Sequence, residues 1–283
     1  MVQISRAIMF LALSAVVLAV VACGGKAAAI PTVSIGAADY SFTLPDSIPG
    51  GLTQLQFTNT GKEAHHAQFA RLNDGVTLQQ FLAALPQGEA AAFPLITFQG
   101  GPGPIEPGKQ AEAVVDLPIG QYVLLCFIPS PDGVPHLAKG MVRPLTVTAA
   151  PTKQPAKPAV KGTVDLQDFA FGALPSNMAV GKTGLAVVNK GKEPHELVVL
   201  KLKGVAAAQV VQALSAPPGS ARPPGPPPFE WAGGSQVIMP GATGWATLDL
   251  TAGEYTLVCF IPSPANQGKR HMALGMFLPF SVK

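Results

Sequence analysis

The sequence is poor in charge, cysteine and histidine, and these shortages exclude several classes of protein. Only 12% of the 283 residues are charged, and the formal net charge is +3. A nearly neutral surface without a basic run lacks the electrostatic footprint of a nucleic-acid-binding protein. The 30 glycines and 29 prolines argue against long helices and favour many short strands joined by turns. The 48% hydrophobic fraction argues against a disordered chain.

Residues 1–22 are predicted to be an export signal. Arg6 precedes an uncharged apolar stretch from Ala7 to Ala22, which is shorter than the about 20 residues of a membrane span and suits a signal peptide. The segment from Val20 to Cys23 resembles the lipobox of bacterial lipoproteins, whose cysteine is lipidated after cleavage. An ordinary cleavage site and an N-terminal anchor helix are the alternatives. We therefore expect an exported chain, lipid-anchored through Cys23 to the outer face of the cell membrane, or held in the periplasm or at the outer membrane.

The body of the chain is an internal repeat. Residues 59–65 match residues 189–195, residues 120–131 match residues 253–264, and residues 136–141 match residues 271–276. A period this long indicates tandem domains rather than a solenoid. We therefore predict a tether over residues 23–33, a first domain over residues 34–148, a Pro- and Lys-containing linker over residues 149–162, and a second domain over residues 163–283.

Both repeats are predicted to be all-β. Runs of β-branched and aromatic residues bounded by Gly and Pro predict about seven or eight strands in each repeat, which favours an antiparallel β-sandwich. Apolar residues at helical spacing predict one helix in each repeat, over Leu78–Leu85 and Ala207–Leu214, and each is ended by a proline. The Pro-rich stretch 217–228 is expected to be a surface loop with no assigned role.

Each repeat carries a histidine in its first third, and a cysteine, a histidine and a methionine near its end. Two imidazoles, one thiolate and a weak thioether form the ligand set of a blue-copper electron-transfer site. The candidate metal ligands are His65, Cys126, His136 and Met141 in the first repeat and His195, Cys259, His271 and Met276 in the second. Each cysteine ends a predicted strand, so the loop that follows can fold back and bring the second histidine to the first.

The spacing around these residues resembles that of the cupredoxins. The pattern Gly-x-Tyr-x-x-x-Cys precedes each loop, the pattern His-x4-Met closes it, and the run from Cys126 to His136 is similar to the ligand loop of copper nitrite reductases. The resemblance covers residues 38–147 and 164–282. It implies two tandem cupredoxin-like, antiparallel Greek-key β-sandwiches, each with one short helical insertion. It also implies copper as the cofactor, up to two ions with one in each domain, and methionines as the axial ligands.

Some positions depart from the cupredoxin pattern. The intervals from cysteine to loop histidine, 10 and 12 residues, are longer than those of simple cupredoxins. His66 and Glu196 stand where many relatives have an asparagine that braces the ligand loop. Met272 is a rival to Met276, and His66 is a rival to His65, but only Met276 and His65 keep the spacing that both repeats share.

Other interpretations of the same residues remain. Two cysteines are left after lipidation of an exported chain, so a Cys126–Cys259 disulfide is one alternative, and it requires Cα atoms within about 7 Å of each other. A zinc site is a second alternative, although methionine is a poor zinc ligand. Ordinary buried core residues are a third.

Three functions suit the pattern: single-electron transfer with a redox partner protein, storage or delivery of copper, and a cupredoxin-like binding module without metal. The partner is not identifiable from the sequence. We expect the chain not to be an enzyme. The related multicopper oxidases need His-x-His pairs and a His-Cys-His run, and the second copper of nitrite reductases needs further histidines, whereas only His66 is spare. The common signatures of hydrolases, P-loop proteins and dinucleotide-binding proteins are also missing.

Overall fold

The computed structural model describes residues 28–176, 178–215 and 225–283, and strands dominate it. The predicted signal peptide, Cys23 and part of the Pro-rich stretch lie outside the described residues. The strands of the first repeat are β1 (Thr32–Ala38), β2 (Ser41–Thr43), β3 (Ser47–Pro49), β4 (Gly51–Asn59), β5 (Gln68–Leu72), β6 (Ile96–Phe98), β7 (Gln110–Leu117), β8 (Gly120–Leu125) and β9 (Val142–Thr148). Those of the second are β10 (Gly162–Gln167), β11 (Ala170–Phe171), β12 (Gly181–Asn189), β13 (His195–Leu202), β14 (Phe229–Ile238), β15 (Thr243–Leu250), β16 (Gly253–Val258), β17 (Pro262–Ser263), β18 (Lys269–Arg270) and β19 (Phe277–Val282).

Each repeat is a sandwich of two sheets. In the first repeat the sheet β2-β1-β4-β7 packs on the sheet β3-β9-β8-β5-β6, and in the second the sheet β11-β10-β12-β15 packs on the sheet β14-β13-β16-β19. Alternate side chains of both sheets fill the space between them, for example Ile35 and Phe57 from one sheet and Leu124 from the other. The chain changes sheet after β2, β3, β4, β6 and β7 in the first repeat and after β12, β14 and β15 in the second, as in Greek-key connections.

The predicted fold class is confirmed, with two differences in detail. Not every pairing is antiparallel, because β1 runs parallel to β4, β10 parallel to β12, and β3 parallel to β9. The helices α1 (Leu78–Ala84) and α3 (Ala207–Leu214) lie where they were predicted. The first repeat has a further one-turn helix, α2 (Glu89–Ala92), which is too short to produce a periodic apolar pattern.

The two repeats pair with each other around an approximate two-fold axis. Strand β7 pairs antiparallel with β15, and Ala113 lies opposite Ala246, its own counterpart in the second repeat. The segment 99–105 pairs in the same way with 232–238, where Pro102 lies opposite its counterpart Ser235. Equivalent strands therefore meet equivalent strands, as in an isologous dimer, and the first sheets of the two repeats form one continuous eight-stranded sheet.

Buried hydrogen bonds hold this interface, and two glycines let its paired segments pack closely on their own repeats. The side chain of Gln68 is fully buried, its Oε1 accepts from the Val237 N–H at 2.8 Å, and its Nε2 donates to the Val237 carbonyl at 3.2 Å. Gly101 and Gly234 occupy equivalent positions with φ of +140° and +122°. A Cβ there would lie 2.0 Å from the carbonyl oxygen of Ala67 and 1.9 Å from that of Leu197, so only glycine fits.

Among residues 28–176, 178–215 and 225–283, the structure contains no helix with the length and apolar character needed to span a bilayer.

Candidate metal centres

Three of the four predicted ligands of the first repeat meet at one point. His65 precedes β5, Cys126 directly follows β8, and His136 opens a 3-10 turn over residues 136–139. The Nδ1 atoms of the two imidazoles lie 3.0 Å apart. The Cys126 sulfur lies 3.4 Å from Nδ1 of His136 and 3.9 Å from Nδ1 of His65. All three side chains are fully buried, and their donor atoms all lie within 4.8 Å of one another, so one metal ion could contact all three.

The second repeat builds the same cluster from equivalent elements. His195 opens β13, Cys259 directly follows β16, and His271 opens the 3-10 turn over residues 271–274. The Nδ1 atoms of the two histidines lie 2.9 Å apart, and the Cys259 sulfur lies 3.5 Å from Nδ1 of His271. Its three donor atoms also lie within 4.8 Å of one another. The sequence prediction that each loop brings its histidine back to the cysteine therefore agrees with the geometry of both repeats.

Backbone hydrogen bonds close each ligand loop onto its own cysteine. In the first repeat the Leu137 N–H donates to the Cys126 carbonyl at 2.9 Å. In the second repeat the Met272 N–H donates to the Cys259 carbonyl at 2.9 Å. The residue after each loop histidine is thus fixed beside the strand end that carries the thiol, which positions the imidazole.

A carboxylate holds the outer nitrogen of each of the four histidines. Asp39 accepts from Nε2 of His65 at 2.9 Å and Glu63 from Nε2 of His136 at 2.9 Å. In the second repeat the corresponding pairs, at 3.0 and 2.9 Å, are Asp168 with His195 and Glu193 with His271. Because an ionised carboxylate only accepts hydrogen bonds, each Nε2 carries the proton and each Nδ1 keeps a lone pair that is free to bind a metal.

The sequence analysis missed these four carboxylates. Glu63 and Glu193 lie inside the matching segments 59–65 and 189–195, so a comparison of the two repeats could have identified them. Asp39 and Asp168 lie well before their histidines in the chain, and only the pairing of β1 and β10 with their neighbours brings them close. Acidic residues at equivalent positions of both repeats were the signal that could have found them.

Two buried asparagines shape the loops that carry these acids. Asn59 donates to the carbonyls of Glu63 and Ile105 at 2.8 and 3.1 Å, and its Oδ1 accepts from the Gly61 N–H at 2.9 Å. Asn189 makes the corresponding three hydrogen bonds in the second repeat. The match between residues 59–65 and 189–195 therefore reflects one loop conformation that precedes each upstream histidine.

The protonation states of the donor atoms suit a soft cation. Burial lowers the pKa of His65, His195 and His271, which favours the neutral imidazole that can bind a metal. Burial also raises the pKa of the Cys126 thiol to about 12 and raises that of Cys259. A thiolate at this depth therefore needs a positive charge beside it, which a metal ion supplies.

The structure separates the predicted methionines from their rival. Met141 and Met276 are fully buried and belong to the same apolar clusters as Cys126 and Cys259, respectively. Met272 packs in a different cluster, together with residues of α3. Met276 is thus the methionine on the side of the sheet where Cys259 lies.

His66 and Glu196 brace the ligand loops from behind. Nε2 of His66 accepts from the Phe127 N–H at 2.7 Å, and Oε1 of Glu196 accepts from the Phe260 N–H at 2.8 Å. Each acceptor holds the residue directly after the cysteine. His66 therefore stabilises the ligand loop and is not one of the clustered donors. Among the described residues both clustered cysteines are free, and the alternative disulfide is not formed.

The fold and these clusters define a two-repeat β-sandwich protein with a His–Cys–His centre in each repeat. Similar solved structures include the reduced auracyanin of the photosynthetic bacterium Roseiflexus castenholzii, which is 22% identical over 44% of this chain and 100% of its own, with a TM-score of 0.28. The copper nitrite reductase of Nitrosomonas europaea is 13% identical over 90% of this chain and 94% of its own, with a TM-score of 0.25. A multicopper oxidase variant from Aquifex aeolicus is 11% identical over 90% and 66%, with a TM-score of 0.29.

No family model and no curated protein matches the sequence. The TM-scores are all below 0.5, so the assignment of the fold rests on the strand topology and on the two clusters. The named structures are nevertheless of the kind that the sequence resemblance indicated.

One sequence-based expectation is corrected at this point. The similar structures that cover about nine-tenths of this chain include multicopper oxidases and copper nitrite reductases, which are enzymes. The prediction that the chain is not an enzyme, which was based on the small number of histidines, is therefore wrong. A count of histidines limits only those sites that are built from the histidines of one chain, whereas carboxylates and residues of a second copy are also metal ligands.

Proposed function

We propose that this chain is an exported copper protein that transfers single electrons, with one copper site in each repeat. The observation that carries the proposal is the repeated cluster in which two Nδ1 atoms and a thiol face one another while carboxylates hold the outer nitrogens. Copper held there would supply a reversible one-electron change. The proposed ligands are His65, Cys126, His136 and Met141 in one site and His195, Cys259, His271 and Met276 in the other.

The contribution of the protein is to fix the donors before the metal arrives. The loop histidines are anchored through backbone hydrogen bonds at both ends of each 3-10 turn, and the donor side chains are fully buried. Donors held in this way move little when the charge of the site changes, which keeps the reorganisation on electron transfer small. The histidine N–H groups donate to carboxylates and so set how strongly each imidazole donates to the metal.

The test is an absorption spectrum of the copper-loaded full chain. We expect an intense copper–thiolate band that ascorbate bleaches reversibly. Cys126→Ser or Cys259→Ser should each remove about half of the band, as expected for one ligand thiolate per site, and the double variant should remove all of it. A band that survives the double variant refutes the ligand assignment, and colourless, tight Cu(I) binding supports storage or delivery instead.

The second-repeat methionines offer a matched pair for the axial position. Met276→Leu should keep copper bound but shift the potential of that site, because a weak axial ligand tunes the metal more than it holds it. Met272→Leu, which changes an equally buried methionine in another cluster, should leave the potential unchanged. The opposite result would exchange the roles of the two residues.

We further propose the cellular setting that the sequence predicted. Residues 1–22 direct export, Cys23 carries the lipid, and residues 149–162 link domains over residues 34–148 and 163–283. A redox partner protein would meet the domains at the outer face of the membrane. Mass spectrometry of the protein from membranes should find a lipidated Cys23 as the first residue, and Cys23→Ser should release the protein from the membrane fraction. An unmodified N-terminus upstream of Cys23 would contradict this part of the proposal.

A further inference from the structure

The two centres differ at one aromatic residue beside the loop histidine. Tyr40 in the first repeat and Phe169 in the second are half-buried and have similar positive φ values of +70° and +63°. The Tyr40 ring lies 5.1 Å from the ring of His136, and the Phe169 ring lies 5.2 Å from that of His271, both edge-on. The two rings thus occupy the same place, and the difference between them is one hydroxyl group.

That hydroxyl group enters the hydrogen-bond chain of the first centre. The Tyr40 O–H donates to Oε1 of Glu63 at 2.8 Å, and Oε2 of Glu63 accepts from Nε2 of His136. The Ser130 hydroxyl donates in turn to the Tyr40 oxygen at 3.2 Å. In the first repeat the loop histidine is therefore connected through its carboxylate to a phenol.

The second centre uses a weaker donor at the same carboxylate oxygen. Phe169 offers no hydrogen bond, and the Ser263 hydroxyl donates directly to Oε1 of Glu193 at 2.9 Å. A phenol, with a pKa near 10, is a stronger hydrogen-bond donor than an aliphatic hydroxyl group. It withdraws more negative charge from its carboxylate, so Glu63 is a weaker acceptor for the histidine N–H than Glu193 is.

A cation next to Tyr40 adds to this difference. Lys139 Nζ lies 3.4 Å from the Tyr40 oxygen and 4.9 Å from the centre of its ring, whereas Leu274 is the counterpart of Lys139 in the second repeat. Asp132 pairs with Lys139 at 2.7 Å and offsets part of its charge. The hydrogen bond of Tyr40 is therefore the main difference at the carboxylates that hold the loop histidines, and the buried acid Glu196, where the first repeat has His66, is a separate difference behind the cysteine.

Both differences act on the metal in the same direction. A carboxylate with less negative charge polarises the imidazole N–H less, so Nδ1 donates less electron density to a bound ion. A nearby positive charge also disfavours the more highly charged oxidation state of that ion. The first centre should thus favour the reduced state more than the second does.

On the basis of the proposed function, we propose that the two centres are unequal and that Tyr40, acting through Glu63, makes the first centre the stronger electron acceptor. Tyr40 is a positioning and tuning residue, since it touches the acid that holds a ligand and not the cluster itself. In a chain that carries one electron, that electron would reside mainly on the first centre.

The test is a redox titration of two single-site variants of the full chain. Cys259→Ser leaves the first centre, and Cys126→Ser leaves the second. We expect an electron to prefer the first centre at least tenfold, which is 59 mV for a one-electron couple. Tyr40→Phe in the Cys259→Ser background should lower the potential and reduce the difference.

Phe169→Tyr in the Cys126→Ser background is the matched reverse substitution and should raise the potential of the second centre. Equal potentials in the two single-site variants would overturn the inference. So would a potential that neither aromatic exchange moves, and Phe169→Tyr decides the matter if Tyr40→Phe does not fold. The absence of a copper–thiolate band from both single-site variants would instead overturn the proposed function, so the two failures are distinguishable.

Discussion

Replacing Glu196 with glutamine should abolish a pH-dependent loss of stability in the second repeat. The Glu196 side chain is only 6% exposed, and its Oε1 accepts from the Phe260 N–H. Burial raises its pKa to about 7 from the ordinary 4.5, and that hydrogen bond and the charge of Arg270 oppose this only in part. The folded chain therefore holds this proton more tightly than the unfolded chain does.

The sign and the size of the effect follow from this difference in pKa. Below pH 4.5 the carboxyl group is neutral in both states and does not reduce stability; as the pH rises through about 7, folding must either keep the proton or bury a charge, and stability falls. At about 1.4 kcal/mol per pKa unit, the loss above neutral pH amounts to about 3 kcal/mol. Glutamine keeps an oxygen that can accept from the Phe260 N–H but has no proton to lose.

The assay is urea unfolding of the metal-free full chain, followed by tryptophan fluorescence. Both tryptophans, Trp231 and Trp245, lie in the second repeat and therefore report on it. His195 and His271 also titrate, but they contribute equally to the wild type and the variant, so the measured quantity is the difference between the two proteins. Between about pH 4 and pH 8.5 this difference should change by about 3 kcal/mol in favour of glutamine. An unchanged difference would refute the argument from burial.

His66 provides a control with the opposite sign. It occupies the equivalent position in the first repeat, and burial lowers its pKa to about 3 from 6.5. His66 is neutral in the folded chain, so it lowers the stability when the pH falls below 6.5 and has no such effect when the pH rises above that value. His66→Gln should therefore leave the alkaline loss of stability in the second repeat intact.

Three further substitutions test the framework of the molecule. Gly234→Ala places a Cβ 1.9 Å from the Leu197 carbonyl oxygen and should leave little soluble folded protein. Gly241→Ala, at a position where no atom lies within 4 Å of the added Cβ, should still give a native circular dichroism spectrum. Equal yields of the two variants would contradict the steric argument. Gln68→Leu leaves the buried Val237 N–H without its acceptor and should cost about 1–3 kcal/mol in urea unfolding, with the copper spectrum unchanged; an unaltered stability would mean that the interface compensates. Asn59→Ala frees the loop that carries Glu63 and should weaken copper retention against a chelator in the first centre only, and equal loss in both centres would refute a local effect.

The parts of the fold that the sequence predicted are those set by local signals. Leu78, Phe81 and Leu85 at helical spacing predicted α1, and the repeated cysteine and histidine positions predicted both clusters. These signals are local because each loop returns to the strand end from which it starts.

Contacts between distant segments could not be predicted in this way. Asp39 reaches His65 only because β1 lies beside β4. The alternation of polar and apolar residues along a strand does not show which strand will pair with it in parallel. The pairing of Ala113 with Ala246 depends on two surfaces that match each other, which no single segment reveals. The sequence thus predicted the histidines and cysteines that cluster in each repeat but not the acids behind them.

The near-symmetrical pairing of the repeats has a consequence for how the two centres differ. In an assembly of two identical subunits every substitution occurs twice, so neither half can acquire a residue that the other lacks. Here the halves that face each other across β7 and β15 belong to one polypeptide, and each position is encoded separately. Such a molecule can retain the geometry of a homodimer while Tyr40 and Phe169 diverge, and the unequal potentials that we propose would then give electron movement a direction.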